Sequence, residues 1–353
     1  MLAKPVSPAT KSTALSYVWG TNELFTTQKT NIHKLLSTGG LAKVGLCQTI
    51  QDAIAIIRGP GLSFLWVDTL CIIQDDTDHK MDQTKRMAAI YGQSYLTIVA
   101  LTGTQGSSRL PGISKARSPL IEVIRGMPIT AMLSDLTRTA LNQVYEQRAW
   151  TYQERLISRR CLYLAEHQAF LECGIGETTD HEQILPEMDR YNAPDLKNVG
   201  ILNPLGRMVK RMAKDGLSGF HHTRSYSLDI LSYYICIIQQ YSSRKLTYSS
   251  DIENAYLGVQ DVLAEQAGWC FAAGLPTGIF CWALLWFPYG HLERRKWSAA
   301  QPGQPQVSPP SWSWFGWHGL VSYSLSTGSI EPALTPGLSP SSRELLLSPT
   351  RNT

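Results

Sequence analysis

The residues of this chain that could do chemistry sit where apolar runs end. Asp68 closes Phe64-Leu65-Trp66-Val67, and Ser16, Tyr17 and Trp19 close the run that begins at Thr13. Thr102, Thr104 and Ser107 follow the run Tyr95–Leu101. Glu154 stands apart from these, inside Trp150-Thr151-Tyr152-Gln153-Glu154. A carboxylate placed like Glu154 can act as a general base or stabilise a cationic transition state. An aromatic such as Trp19 or Trp150 can stack on a nucleobase or a nicotinamide ring. Each carboxylate also has a plainer reading. Asp68 would cap the turn or helix that follows it. Glu154 would pair with Arg148, Arg155 or a neighbouring lysine on a solvated face.

Other chemistries find no support. The chain has no GxSxG elbow, no Gly-rich phosphate loop ending in Lys-Ser/Thr, no HExxH and no GxGxxG. The adjacent pair His221-His222 does not converge on one metal easily. Cys161, His167 and Cys173 have ligand-like spacing, but a hairpin explains them without metal. No metal site is expected.

The elements that must position these groups follow from the hydrophobic pattern. Thr13–Gly20 reads as a short strand that ends at a glycine turn, and Asn31–Leu36 as a brief helix or turn. Ile50, Ala53, Ile54 and Ile57 have helical spacing within Cys47–Arg58, and Gly59-Pro60-Gly61 stops that helix. Phe64–Val67 is then a strand, apolar enough to be buried on both faces of a parallel sheet. A helix over Asp78–Tyr91 carries the stripe Met81, Met87, Ile90 and Tyr91, and Tyr95–Leu101 is a third parallel strand. Strand–helix–strand units of this kind cross over right-handedly. The polar groups at their ends then share one sheet edge, where open α/β sheets bind ligands. Leu120–Ile124 and Ile129–Leu133 are expected to pair around a Gly126 turn, as are Cys161–Leu164 and Ala169–Cys173. Tyr145–Arg155 is rich in helix formers. Leu228–Tyr241 is an apolar helix, and a further one starts near Asp251 as its cap. Residues 174–225 read as a polar linker or variable insert. The aromatic segment 311–317 should pack back on the body, and 324–353 has too few apolar groups to order itself.

With 353 residues, 43% hydrophobic and 17% charged, the chain has the composition of a globular protein of one large domain or two. Its net charge of +4 is scattered, and Arg294-Arg295-Lys296 is too short a cluster to argue for nucleic acid. Seven cysteines without a CxxC pair point to a reducing, cytoplasmic compartment. The start carries no apolar core of a signal peptide. The longest apolar run, 278–287, is well under the roughly 18 residues a spanning helix needs, so a soluble protein with no membrane span is expected.

Three blocks carry a family resemblance. Ala14-Leu15-Ser16-Tyr17-Val18-Trp19-Gly20, then Leu65-Trp66-Val67-Asp68-Thr69-Leu70-Cys71-Ile72-Ile73-Gln74-Asp75-Asp76, then Arg148-Ala149-Trp150-Thr151-Tyr152-Gln153-Glu154-Arg155 resemble the signature blocks of the fungal heterokaryon-incompatibility (HET) domain, in the family's order. The likeness covers roughly 13–173. It gives 1–12 as an N-terminal tail, 226–323 as a mostly helical, aromatic extension, and Lys80 and Gln83 as departures where the family usually has Trp and often an acid. The resemblance implies a role in non-self recognition and programmed cell death, with other incompatibility or signalling proteins as partners, or self-assembly. The domain in turn resembles Toll/interleukin-1 receptor (TIR) domains. That implies a TIR-like or flavodoxin-like parallel sheet flanked by helices, with inserted β-hairpins. It also implies Glu154 as a candidate catalytic acid, Tyr17, Trp19 and Asp68 as candidate pocket residues, and NAD as a possible substrate, since some TIR domains cleave NAD with the matching glutamate.

Overall fold

Five of the runs read above become strands of one six-stranded sheet; its sixth strand, Gly176–Thr179, comes from the stretch read as a polar linker, and the run around Gly126 pairs in a separate two-stranded sheet. The computed structural model describes residues 10–21, 23–117, 121–130, 134–173, 176–179, 224–296 and 308–323, and the elements below lie in the unit that ends at Ser322. In chain order, β1 is Ser12–Ser16, α1 Gln48–Arg58, β2 Phe64–Trp66, α2 Thr77–Gln93 and β3 Leu96–Val99. The small hairpin β4 (Ile121–Ile124) and β5 (Met127–Thr130) comes next. Then follow α3 (Ala149–Ile157), β6 (Arg160–Leu164), β7 (Ala169–Cys173) and β8 (Gly176–Thr179). Two long helices, α4 (Arg224–Tyr241) and α5 (Ile252–Ala267), precede short strands and turns.

The sheet order is β2-β1-β3-β6-β7-β8. The pairs β1/β2, β1/β3 and β3/β6 are parallel, whereas β7 and β8 are added antiparallel. The chain is therefore α/β, with a mostly parallel sheet flanked by helices. Its order places the switch point, where consecutive crossovers leave to opposite sides, beside β1 and β3. Alternation along β1 sorts its side chains. Leu15 and Tyr17 join Ile50, Ala53, Ile57 and Ile98 under α1. Ala14 packs with Met87 and Tyr91 of α2, and Val18 lies with Tyr145, Val99 and Tyr163. The helices α2, α3 and α5 pack on one another on that second side.

Several expectations need correction. β2 is an edge strand with half-buried side chains, not a strand buried on both faces. It stops after three residues because Asp68 begins a helical turn, Asp68–Cys71. Met81 is 48% exposed, off the buried stripe that Met87 and Tyr91 form. The helix formers of 145–155 build a 3-10 turn and α3, with Arg148 extended between them at φ −91° and ψ 138°. Asp251 holds the N-cap position of α5 but its side chain makes no cap bond. The hairpin turn needs Arg125 and Gly126 both in the left-handed region, at φ 52° and 80°, which suits a two-residue hairpin loop. His221, His222 and the tail 324–353 lie outside the described residues.

The C-terminal helices are tied into α3 by buried charge. Glu146 pairs with Arg155 at 3.0 Å and with Arg244, which follows α4. Both guanidiniums lie over the Tyr152 ring. The Lys245 N–H donates to Gln147 O, and the Ala149 N–H donates to Lys245 O. The Gly258 N–H of α5 donates to Gln153 Oε1 at 3.3 Å. A Cβ at Gly258 would lie 2.5 Å from Ile157 Cδ1 and 2.7 Å from Ala88 Cβ, so the close approach of α5 to α3 and α2 depends on this glycine. The aromatic segment packs inward as expected, with Trp314 and Phe315 fully buried against Tyr256.

Candidate active site

Two carboxyl groups mark the C-terminal edge of β1 and β2. Asp68 gets there because the chain leaves β2 through the extended Val67 and turns at once into a helix. Both of its oxygens are used. Trp19 Nε1 donates to Oδ2 at 2.7 Å, and the Thr69 N–H donates to Oδ1 at 2.7 Å. Trp19 can reach it because Gly20 takes a left-handed φ of 77°, where a Cβ would meet Gln105 Cβ at 2.5 Å. The loop after β3 locks this turn, since the Gly106 N–H donates to Trp19 O. Within that loop Thr104 and Ser107 are exposed. Tyr17 points under α1, its hydroxyl 3.0 Å from Thr69 Oγ1.

Glu154 comes from α3, on the other side of β1, and is only 5% exposed. Ser16 Oγ donates to Glu154 Oε2 at 2.5 Å and also lies 2.5 Å from the Tyr145 hydroxyl. The Tyr91 phenol donates to Leu15 O at 3.1 Å and lies near enough to the Glu154 carboxyl to favour its charged form. The solvated ion pair is thus not what Glu154 makes. Arg155, next in sequence, is turned away to Glu146, and Arg148 acts on Glu154 only as a nearby positive charge.

The electrostatics set these two acids apart from surface carboxylates. Burial pushes Glu154 up to about 7, and the charge of Asp68 adds to this, while the Ser16 hydrogen bond, Arg148 and Tyr91 pull it back. Burial pushes Asp68 up to about 6, against the Trp19 and Thr69 hydrogen bonds and Arg148. Tyr17 is held well above the ordinary tyrosine range by burial and then by Asp68, so its phenol stays protonated. A carboxyl that titrates near neutrality can give and take a proton at the pH of the cell.

The four residues singled out in the sequence therefore form two neighbouring sets, not one shell. Trp19 and Asp68 bond directly, Tyr17 joins them through Thr69, and Glu154 stands across β1 with Ser16. Asp68 and Glu154 meet through their charges. The sequence reading missed Tyr145 and Tyr91 as partners of this cluster. Alternation held part of the clue: Ala14, Ser16 and Val18 share one face of β1, so Ser16 had to meet whatever helix covered it. Among the described residues no group of His, Cys, Asp and Glu could hold a metal ion, and no helix is long and apolar enough to cross a membrane.

No curated protein and no solved structure matches the chain significantly. Residues 13–154 match the family model described as heterokaryon incompatibility protein (HET). The matched segment opens at β1 and ends on Glu154, so it spans every residue of both sets. Over that segment, about two-fifths of its length, the chain is similar to heterokaryon incompatibility (HET) proteins.

Proposed function

We propose that this protein is a cytoplasmic effector of fungal non-self recognition and programmed cell death, and that it acts by hydrolysing NAD at the nicotinamide–ribose bond. The observation that carries the reading is the inward-facing Glu154, near neutral in its titration and within the field of Asp68. Breaking the bond releases nicotinamide with the bonding electron pair and leaves positive charge on the ribose. An ionised carboxylate stabilises that charge. Water then adds to the ribose carbon and loses a proton, for which Glu154 has a suitable affinity. The products are ADP-ribose, nicotinamide and a proton. Trp19 offers an aromatic face beside Asp68 for the planar ring.

A second reading has its own support. Val123, Ile124 and Met127 stand 68%, 50% and 65% exposed on the β4–β5 hairpin. Exposed apolar residues on a two-stranded hairpin suit self-assembly or contact with signalling partners, and death signalling would then proceed through contacts alone.

The deciding experiment compares NAD consumption by the full chain with that of Glu154→Gln at high protein concentration, with thermal melts to show that both fold. The proposal requires turnover in the wild type and a loss of at least about 100-fold in the variant. Equal rates, or no turnover by the folded wild type, would reject it in favour of the assembly reading.

A further inference from the structure

Arg295 is a buried arginine without a counter-ion. Only 7% of its surface is exposed, yet it makes no ion pair among the described residues, and its Nε is sealed from solvent with no acceptor. Its backbone N–H is satisfied by Gly316 O at 2.9 Å, so the chain there is firmly placed. The contrast with the other buried arginines is direct, because Arg155 and Arg244 both lie against Glu146. Burial lowers the proton affinity of Arg295, and the one group that opposes this is the Tyr241 phenol. The Tyr241 hydroxyl is itself buried and has no hydrogen-bond partner.

Other donors nearby repeat the pattern. Trp314, whose ring lies 5.8 Å from that of Tyr241, has a buried indole Nε1 with no acceptor. Burial, and then the charges of Arg295 and Lys245, depress the basicity of His318, against the opposing charge of the exposed Glu293. The acid that acts on Tyr241, Asp251, is already engaged by Trp150 and by the charge of Lys80. A buried guanidinium with its Nε unpaired and no counter-ion is unfavourable. A buried cluster with unpaired donors and no ion pair to its guanidinium among the described residues is completed by a negatively charged acceptor.

We propose that Arg295 and Tyr241 form an anion-binding site in the C-terminal extension, built for a compact oxyanion, either phosphate or carboxylate. The guanidinium supplies a forked pair of donors and the charge, and the phenol supplies a further donor. The aromatic wall of Tyr241 and Trp314 keeps water from competing. This site is separate from the Glu154 cluster and does not depend on NAD cleavage.

The test is a thermal melt of the full chain in inorganic phosphate, sodium acetate or sodium chloride at matched ionic strength, with 31P line broadening as a direct readout of phosphate. The wild-type midpoint should rise by about 3 °C at an oxyanion concentration ten times its Kd. Phosphate and acetate, set against chloride, show which oxyanion the site takes. Arg295→Gln should abolish the rise, and Tyr241→Phe, which keeps the ring, should weaken it about tenfold in concentration. In chloride alone Arg295→Gln should melt no lower than the wild type, because it removes an uncompensated charge. A midpoint that responds to phosphate, acetate and chloride alike would overturn the proposal. So would a rise that survives in Arg295→Gln, or a Tyr241→Phe chain that responds as the wild type does.

Discussion

Glu154→Gln should change stability in a way that depends on pH, whether or not the protein turns over NAD. In the fold Glu154 titrates at about 7, against an ordinary value of 4.5. The folded state therefore holds this proton more tightly than the unfolded chain does. The stabilisation is complete below about 4.5 and is lost as pH rises through about 7. At about 1.4 kcal/mol per pKa unit, ionising Glu154 costs the native state about 3 kcal/mol by pH 8. Glutamine keeps the volume and an acceptor for Ser16 but has no proton to lose. Urea unfolding of the two chains at pH 5 and pH 8 measures the effect. The difference in unfolding free energy should swing by about 2.5 kcal/mol in favour of the variant over that interval. In melting temperature this is roughly 5 °C. A difference that stays flat within about 0.5 kcal/mol would show that Glu154 is ionised in the fold at neutral pH without penalty, and the argument from its burial would fail.

Two further perturbations address the supports of the site. Ser16→Ala removes the hydroxyl that favours the charged form of Glu154, so its titration should move from about 7 to higher pH. Side-chain carbon-13 NMR of Glu154 reads this directly, and the rising limb of any NAD-cleavage profile should move with it. Glu146→Gln should destabilise more than Arg244→Met, because it leaves two buried guanidiniums facing each other, whereas losing Arg244 leaves Glu146 its bond to Arg155. Urea midpoints should show roughly 3–5 kcal/mol for the first and the smaller loss for the second.

Much of the fold was legible because local pattern and tertiary role agreed. The stop at Gly59-Pro60-Gly61, the run Tyr95–Leu101 and the hairpin at 160–173 each needed only turn chemistry and alternation, and the structure has α1, β3 and the β6–β7 pair there. Phe64–Val67 misled because apolarity shows that a strand is covered, not which place it takes in the sheet. Leu65 and Trp66 get their cover from helices and not from a second neighbouring strand. The neighbourhood of Glu154 was the hardest part. A glutamate beside Arg148 and Arg155 in sequence looks like a surface ion pair. Arg155 is taken instead by Glu146, and Ser16 lies 138 residues away. Such separations leave no local trace; the family resemblance pointed to the glutamate, though not to its partners.

The link between Glu146, Arg155 and Arg244 bears on how this chain could be cut or shuffled. The matched family segment stops at residue 154, one residue before Arg155 and about ninety before Arg244. A recombination point placed at that boundary would separate a carboxylate from both of its cations. It would also strip Gly258 from Gln153 and open the faces of α2 and α3 that α5 covers. Grafting the segment onto a foreign tail would succeed only if that tail brought an arginine to the same place against Tyr152. The folded unit here is thus longer than the matched segment. Exchange between related genes would be tolerated within 121–130, the β4–β5 hairpin that pairs apart from the main sheet, far better than at the motif's own end.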